Sequence, residues 1–152
     1  MRNIKYIVIH CTATLPTATV ESIKNGFKAL GWKNPGYHYL VDCQGLSHNL
    51  LNTINIANGV KGYNSCSIHI AYIGGIDRNG NPKNTMTPAQ KKRIQQQIEM
   101  LLIAHPQARV VGHRDLSPDK NKNGKIEPTE WLKACPCFDV KTEFNIPKEN
   151  LK

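Results

Sequence analysis

Three residues far apart in this chain have the types and settings to hold one metal ion. His10 ends the apolar run Tyr6-Ile7-Val8-Ile9, which reads as a buried strand delivering a side chain to a sheet edge. His113 closes a second run, Arg109-Val110-Val111-Gly112, and Cys135 lies in Lys133-Ala134-Cys135-Pro136-Cys137-Phe138-Asp139. Two imidazoles and a thiolate make a three-ligand zinc shell that leaves a fourth position for water or substrate, the arrangement found in hydrolytic zinc sites. One of Cys135 and Cys137 is expected to bind, and residue chemistry alone does not choose between them. A redox pair more usually has two intervening residues. A four-cysteine structural site needs a second close pair, which Cys11, Cys43 and Cys66 do not supply. The other histidines, His38, His48, His69 and His105, read as hydrogen-bonded structural residues.

A second ion-binding pattern runs from Asp119 to Glu130. Oxygen-bearing side chains fall at positions 1, 3, 5, 9 and 12 of this stretch, with Gly124 at 6 and Ile126 at 8, which is the spacing of an EF-hand calcium loop. Asp119, Asn121, Asn123, Lys125 (through its carbonyl) and Glu130 are the candidate calcium ligands. No entering helix precedes Asp119. Two asparagine ligands and three interspersed lysines (Lys120, Lys122, Lys125) place the expected affinity at the weak end. The alternative is a polar turn that spans the gap. If calcium binds, Glu130 would grip it just before Lys133 and Cys135, and the ion would order the arm that supplies a zinc ligand.

Positioning these residues requires a mixed fold. Thr19 caps a helix whose apolar positions Val20, Ile23, Phe27 and Leu30 follow i, i+3, i+7, with Gly31 as the stop. Residues 36–41 and 46–50 read as a hairpin around an Asp42-Cys43-Gln44-Gly45 turn, and 67–73 as a further strand ended by Gly74-Gly75. A helix is expected from Thr87 to about Ala104, with Thr87 and Gln90 as a capping box and Pro88 at the first helical position. Its predicted buried stripe is Ile94, Ile98, Leu101 and Leu102, with Lys91, Lys92, Arg93 and the glutamines facing water. Short helices are expected near 128–134 and from Phe138. The expected architecture is a single α/β domain over residues 1–152: a mixed central sheet of about five strands flanked by helices, with the loop 119–130 inserted.

Composition agrees with one globular domain: 152 residues, 39% hydrophobic. No stretch reaches the roughly 20 apolar residues that a membrane span needs. The opening Met-Arg-Asn-Ile-Lys has no small-residue cleavage site, so no secretory signal is expected, and the protein should stay cytoplasmic until released or exported. Five cysteines, an odd number without a compact framework, read as mostly reduced or metal-bound. The net charge of +9 is concentrated before Arg114, where Glu21, Asp42, Asp77 and Glu99 are the acids. Such a face attracts polyanions. No recognition-helix, zinc-finger or aromatic RNA-binding signature is present, so no specific nucleic-acid partner is expected.

Several ordered motifs carry a family resemblance. Val8-Ile9-His10-Cys11-Thr12-Ala13-Thr14, Gly36-Tyr37-His38-Tyr39, Ser67-Ile68 running to Gly74-Gly75-Ile76-Asp77, Gly112-His113-Arg114-Asp115 and 133–139 resemble the type 2 zinc N-acetylmuramoyl-L-alanine amidases. That family includes bacteriophage lysozyme-type amidases and is related to animal peptidoglycan recognition proteins. The match covers roughly Lys5 to Val140. The resemblance implies that His10, His113 and Cys135 bind zinc, that Tyr37 and Lys133 assist catalysis, and that Asn64, in Gly62-Tyr63-Asn64, lines the substrate groove. It further implies hydrolysis of the peptidoglycan amide between the lactyl group of N-acetylmuramic acid and L-alanine. Separately, a monomer is expected. Apart from the resemblance, Tyr37 reads as a core tyrosine and Lys133 as an exposed lysine. The chain departs from relatives at Cys137, where serine is commoner, at His69, where small residues are usual, and in the insertion between His113 and Cys135.

A thiolate ligand weakens the pull of zinc on a carbonyl, so the site should need help with the developing oxyanion, which Lys133 and Tyr37 are placed to give. The lack of a His-Glu-x-x-His helix leaves the general base open. Two other classes stay in view: a non-catalytic peptidoglycan-binding module, which the presence of Cys135 argues against, and a regulatory protein using the same fold and its basic face.

Overall fold

The computed structural model describes residues 1–151. β1 (Tyr6–Cys11) is the centre of a five-stranded sheet, flanked in parallel by β4 (Ser67–Tyr72) and β5 (Arg109–Gly112). β2 (Tyr39–Val41) runs parallel to β4 on its far side, and β3 (Ser47–Asn49) pairs antiparallel with β2 at the edge, giving the order β3-β2-β4-β1-β5. A parallel centre covered on both faces demands near-continuous apolar strands. β1 and β4 meet that demand: every residue from Ile7 to Cys11 and from Ser67 to Tyr72 is buried.

The pleat sorts the side chains to two faces. Ile7, Ile9, Ile68, Ile70, Tyr72 and Val110 pack with Ile94, Ile98 and Leu101 of α2 (Pro88–Ala104) and with Phe138 and Phe144. On the opposite face Leu40, Ala71 and Ile73 meet Ile23 of α1 (Val20–Ala29), while Val8 and Val111 meet Val60. His10 and His69 lie on this second face by alternation. Because β1 and β5 are parallel, with Ile9 opposite Gly112, their C-terminal ends share one edge, so His10 and His113 arrive at the same place.

The expected five strands, the capped helices and the Asp42–Gly45 turn are present, with shorter bounds for the hairpin. β2 begins at Tyr39 rather than 36, and β3 spans 47–49 rather than 46–50. Two of the glutamines expected to face water are buried. The Gln90 amide donates to the carbonyls of Val41 and Ile73, both 3.1 Å away, and Gln97 donates to the Ser47 hydroxyl. Strand-end carbonyls need donors, and α2 supplies them. The helix expected over 128–134 is only a 3-10 turn, Pro128–Glu130, because the chain becomes extended at Trp131 (φ −61°, ψ 126°) to carry Cys135 toward the sheet. The last helix, α3, covers Val140–Glu143.

Candidate metal centre and active site

The C-terminal edge of the parallel strands gathers the three expected donors. His10, the next-to-last residue of β1, is 1% exposed. His113 starts a 3-10 turn, His113–Leu116, directly after β5. Cys135 is brought in by the 131–138 arm, which is pinned where the Arg114 N–H donates to the Cys135 carbonyl. Gly112 permits this approach: a Cβ there would sit 2.8 Å from Pro136 Cδ. The Asp115 carboxylate accepts from Gly112 N–H at 2.7 Å, which closes the turn carrying His113.

One donor atom from each of His10, His113 and Cys135 lies within 4.8 Å of the others, the sole such group of His, Cys, Asp and Glu among the described residues. His10 Nδ1 is 3.8 Å from Cys135 Sγ, and the His10 and His113 rings are 4.9 Å apart. Tetrahedral zinc with bonds of about 2.0–2.3 Å sets its ligands roughly 3.3–3.7 Å from one another, so the set needs only small adjustments to close on the ion. Protonation also favours ligation. Burial first, and then the closeness of His69, His113 and the Lys133 ammonium, hold His10 well below the ordinary imidazole pKa. Burial and Lys133 bring His113 down to about 4. Neutral imidazoles keep the lone pair that a metal requires. The Cys11 N–H donates to Cys135 Sγ at 3.1 Å, which fixes where the sulfur sits. Cys137 does not join: it has φ +73° and donates its thiol to the Gly75 carbonyl at 3.4 Å.

Tyr37 and Lys133 line the same pocket, of about 120 Å³, as His10, His113 and Cys135. Tyr37 is half-buried with its ring 5.1 Å from His10, and its hydroxyl donates to the Cys11 carbonyl at 3.3 Å. Burial, and the Cys135 and Cys11 thiols beside it, push the phenol well up. Lys133 is exposed at the pocket's mouth. The pocket shares Trp32, Asn58, Gly59, His113 and Lys133 with a groove of about 670 Å³. Asn64 lines that groove, where its amide oxygen accepts from Val60 N–H at 2.7 Å and its carbonyl accepts from Arg2.

The 119–130 loop turns as its spacing requires but gathers no comparable donor group. Lys122 and Gly124 have φ of +60° and +82°. The Asp119 carboxylate accepts from Asn123 and Gly124 N–H, and the Asn121 and Asn123 amide oxygens accept from Asn123 and Lys125 N–H. Glu130, which is buried, accepts from the N–H groups of Lys120, Asn121 and Glu127.

One residue at the centre escaped sequence reasoning. His69, read as a structural histidine, places Nδ1 2.9 Å from His10 Nε2. Its signal lies in the parallel register Val8↔His69, which only the paired strands reveal. His38 keeps its structural role, donating from Nε2 to the Asn55 carbonyl and accepting His69 N–H at Nδ1.

Comparison with known proteins gives the family and the fold. The endolysin of Klebsiella phage KP32 is 33% identical over 137 residues, covering 89% of this chain and 82% of that protein. Two solved structures share the fold. The Ph2119 endolysin from a Thermus scotoductus bacteriophage has a TM-score of 0.71 at 24% identity, covering all of this chain and 88% of the other. A bumblebee PGRP-SA has a TM-score of 0.68 at 17% identity, covering 95% and 86%. The family model described as N-acetylmuramoyl-L-alanine amidase matches residues 1–130, a span that includes both histidine-bearing strand ends. With that match across most of its length, the chain belongs to the N-acetylmuramoyl-L-alanine amidase family.

Proposed function

We propose that this chain is a zinc amidase that hydrolyses the peptidoglycan amide between the lactyl group of N-acetylmuramic acid and L-alanine, in the manner of an endolysin. The observation that carries this reading is the meeting of His10, His113 and Cys135 at the closed end of a groove edged by Lys133. These three residues would hold the ion. A bound zinc ion would supply Lewis acidity toward the scissile carbonyl and a lowered pKa for water held beside it.

The chain's own groups do the rest. Lys133, as a full cation at the pocket's mouth, stabilises negative charge developing on the carbonyl oxygen. Tyr37 stays protonated and so serves as a donor rather than a base. Its bond to the Cys11 carbonyl, at 3.3 Å, is long enough for a developing oxyanion to compete for the hydroxyl. Asn64, with its amide oxygen spent on Val60, forms part of the groove wall along which the glycan or stem peptide lies. Elemental analysis for zinc, with mass spectrometry of digested sacculi, tests the reading. A metal-bearing protein that releases free stem peptides beginning with L-alanine supports it. Intact muropeptides alone would leave a binding module on the same fold.

Among the described residues no helix is long and apolar enough to cross a membrane. We infer a monomer that waits in the cytoplasm for release to the wall, which size-exclusion chromatography and fractionation before lysis would check.

We also propose calcium binding by Asp119, Asn121, Asn123, the Lys125 carbonyl and Glu130. Its supports are the ligand spacing and the left-handed turns at Lys122 and Gly124. Binding would require Glu130 to exchange backbone donors for the ion. Calorimetric titration with calcium should give heat for the wild type and none for Asp119→Ala; no heat in either would dispose of it.

A further inference from the structure

The zinc reading leaves one buried imidazole unexplained. His69 is fully buried, and its Nε2 has no hydrogen-bond partner. An apolar side chain of similar volume would avoid that cost, so the other ring nitrogen must hold the reason for a histidine here. That nitrogen, Nδ1, lies 2.9 Å from His10 Nε2.

Proton accounting gives the pair a direction. His10 turns Nδ1 toward Cys135 Sγ, at 3.8 Å, so Nδ1 is the nitrogen available to a metal. A neutral imidazole that offers a lone pair at Nδ1 carries its hydrogen on Nε2. His10 therefore donates and His69 Nδ1 accepts, which leaves the His69 hydrogen on the unpartnered Nε2. Metal-binding histidines commonly pass their second N–H to such an acceptor, which sets the ring's tautomer and orientation. Resting on the zinc reading, we propose that His69 is a positioning residue whose Nδ1 accepts the His10 Nε2–H and locks the tautomer that faces the metal.

The surroundings are shaped for that job. His69 N–H donates to His38 Nδ1 at 3.0 Å, and the two rings lie parallel, 5.8 Å apart. His38 in turn is anchored on the Asn55 carbonyl. Gly59 packs against the ring: a Cβ there would stand 2.3 Å from His69 Nδ1, so no other residue fits without moving it. The strand register Val8↔His69 sets His69 diagonally from His10 on the same face.

The test compares His69→Leu, which fills the space without an acceptor, with His69→Asn, whose Oδ1 replaces Nδ1. Zinc affinity is read by competition with a chromogenic chelator, and fold by thermal unfolding of the metal-free proteins. His69→Leu should bind zinc about 10- to 100-fold more weakly than wild type, and His69→Asn should recover most of that loss. Equal affinity in wild type and His69→Leu, or an Asn variant as weak as Leu, overturns the proposal. If His69→Leu does not fold, ¹⁵N NMR of the zinc-loaded wild type decides: His10 should be protonated at Nε2, and protonation at Nδ1 refutes the assignment. A wild type that takes up no zinc instead overturns the metal reading on which the proposal stands.

Discussion

In the proposed mechanism Lys133 and Tyr37 would divide the work around a bound zinc differently, because one is exposed and the other half-buried. Lys133→Ala removes a cation without opening the core, so zinc content should be unchanged while kcat falls about 10²- to 10³-fold, as measured on soluble muropeptides. Retention of more than half the activity would return Lys133 to an ordinary surface lysine. Tyr37→Phe removes a donor but keeps the ring against His10. It should lower kcat by about 10²-fold with metal affinity intact. At this scale the sequence was informative wherever residue type alone carries chemistry: His10, His113 and the cysteine arm stand out by type and by strand-end position. It was silent where backbone geometry decides. The left-handed turn at Cys137 selects Cys135 as the inward thiol, and no side-chain chemistry distinguishes the two. His69 stood out only as a departure from the family pattern, with no role attached, because its partner is set by inter-strand register.

Between elements, the contact that matters most is β5 against the Cys135 arm. Gly112 is the hinge of that contact, since a methyl group there would press on Pro136 Cδ at 2.8 Å. Gly112→Ala should cost about 1–3 kcal/mol through overpacking and weaken zinc binding by displacing Cys135, both readable by denaturant unfolding and chelator competition. Unchanged affinity would show that the arm does not depend on this approach. The helices were legible because capping residues and Pro88 mark their starts. The buried faces were less so: Gln90 and Gln97 read as solvent-facing, yet they pair with polar groups of the hairpin and of the end of β4, a need that appears only when helix meets sheet. The 128–134 segment read as helical, but delivering Cys135 required an extended chain from Trp131 onward.

For the molecule as a whole, burying so many neutral histidines makes stability depend on pH. Burial holds His38 down at about 4 and His69 at about 3 in the folded protein, whereas the unfolded chain titrates near ~6.5. Below that value the unfolded state takes up protons that the folded state refuses, so stability falls as pH drops from about 6.5 toward 4 and is steady, for these groups, above about 7. Each histidine adds a slope of up to about 1.4 kcal/mol per pH unit in that window. Urea unfolding of the metal-free protein across this range should show the decline, and a flat profile would contradict it. The α/β architecture with five strands follows from the alternation of strand and helix patterns, and the parallel centre is what turns two distant strand ends into neighbours.

The most direct measurement is zinc K-edge X-ray absorption on the purified protein. It should show a shell of two nitrogen scatterers at about 2.0–2.1 Å and one sulfur at about 2.3 Å, with a lighter atom in the remaining position. A shell without sulfur, or a Cys135→Ser protein that keeps the same spectrum and full wall-lytic activity, would contradict the account.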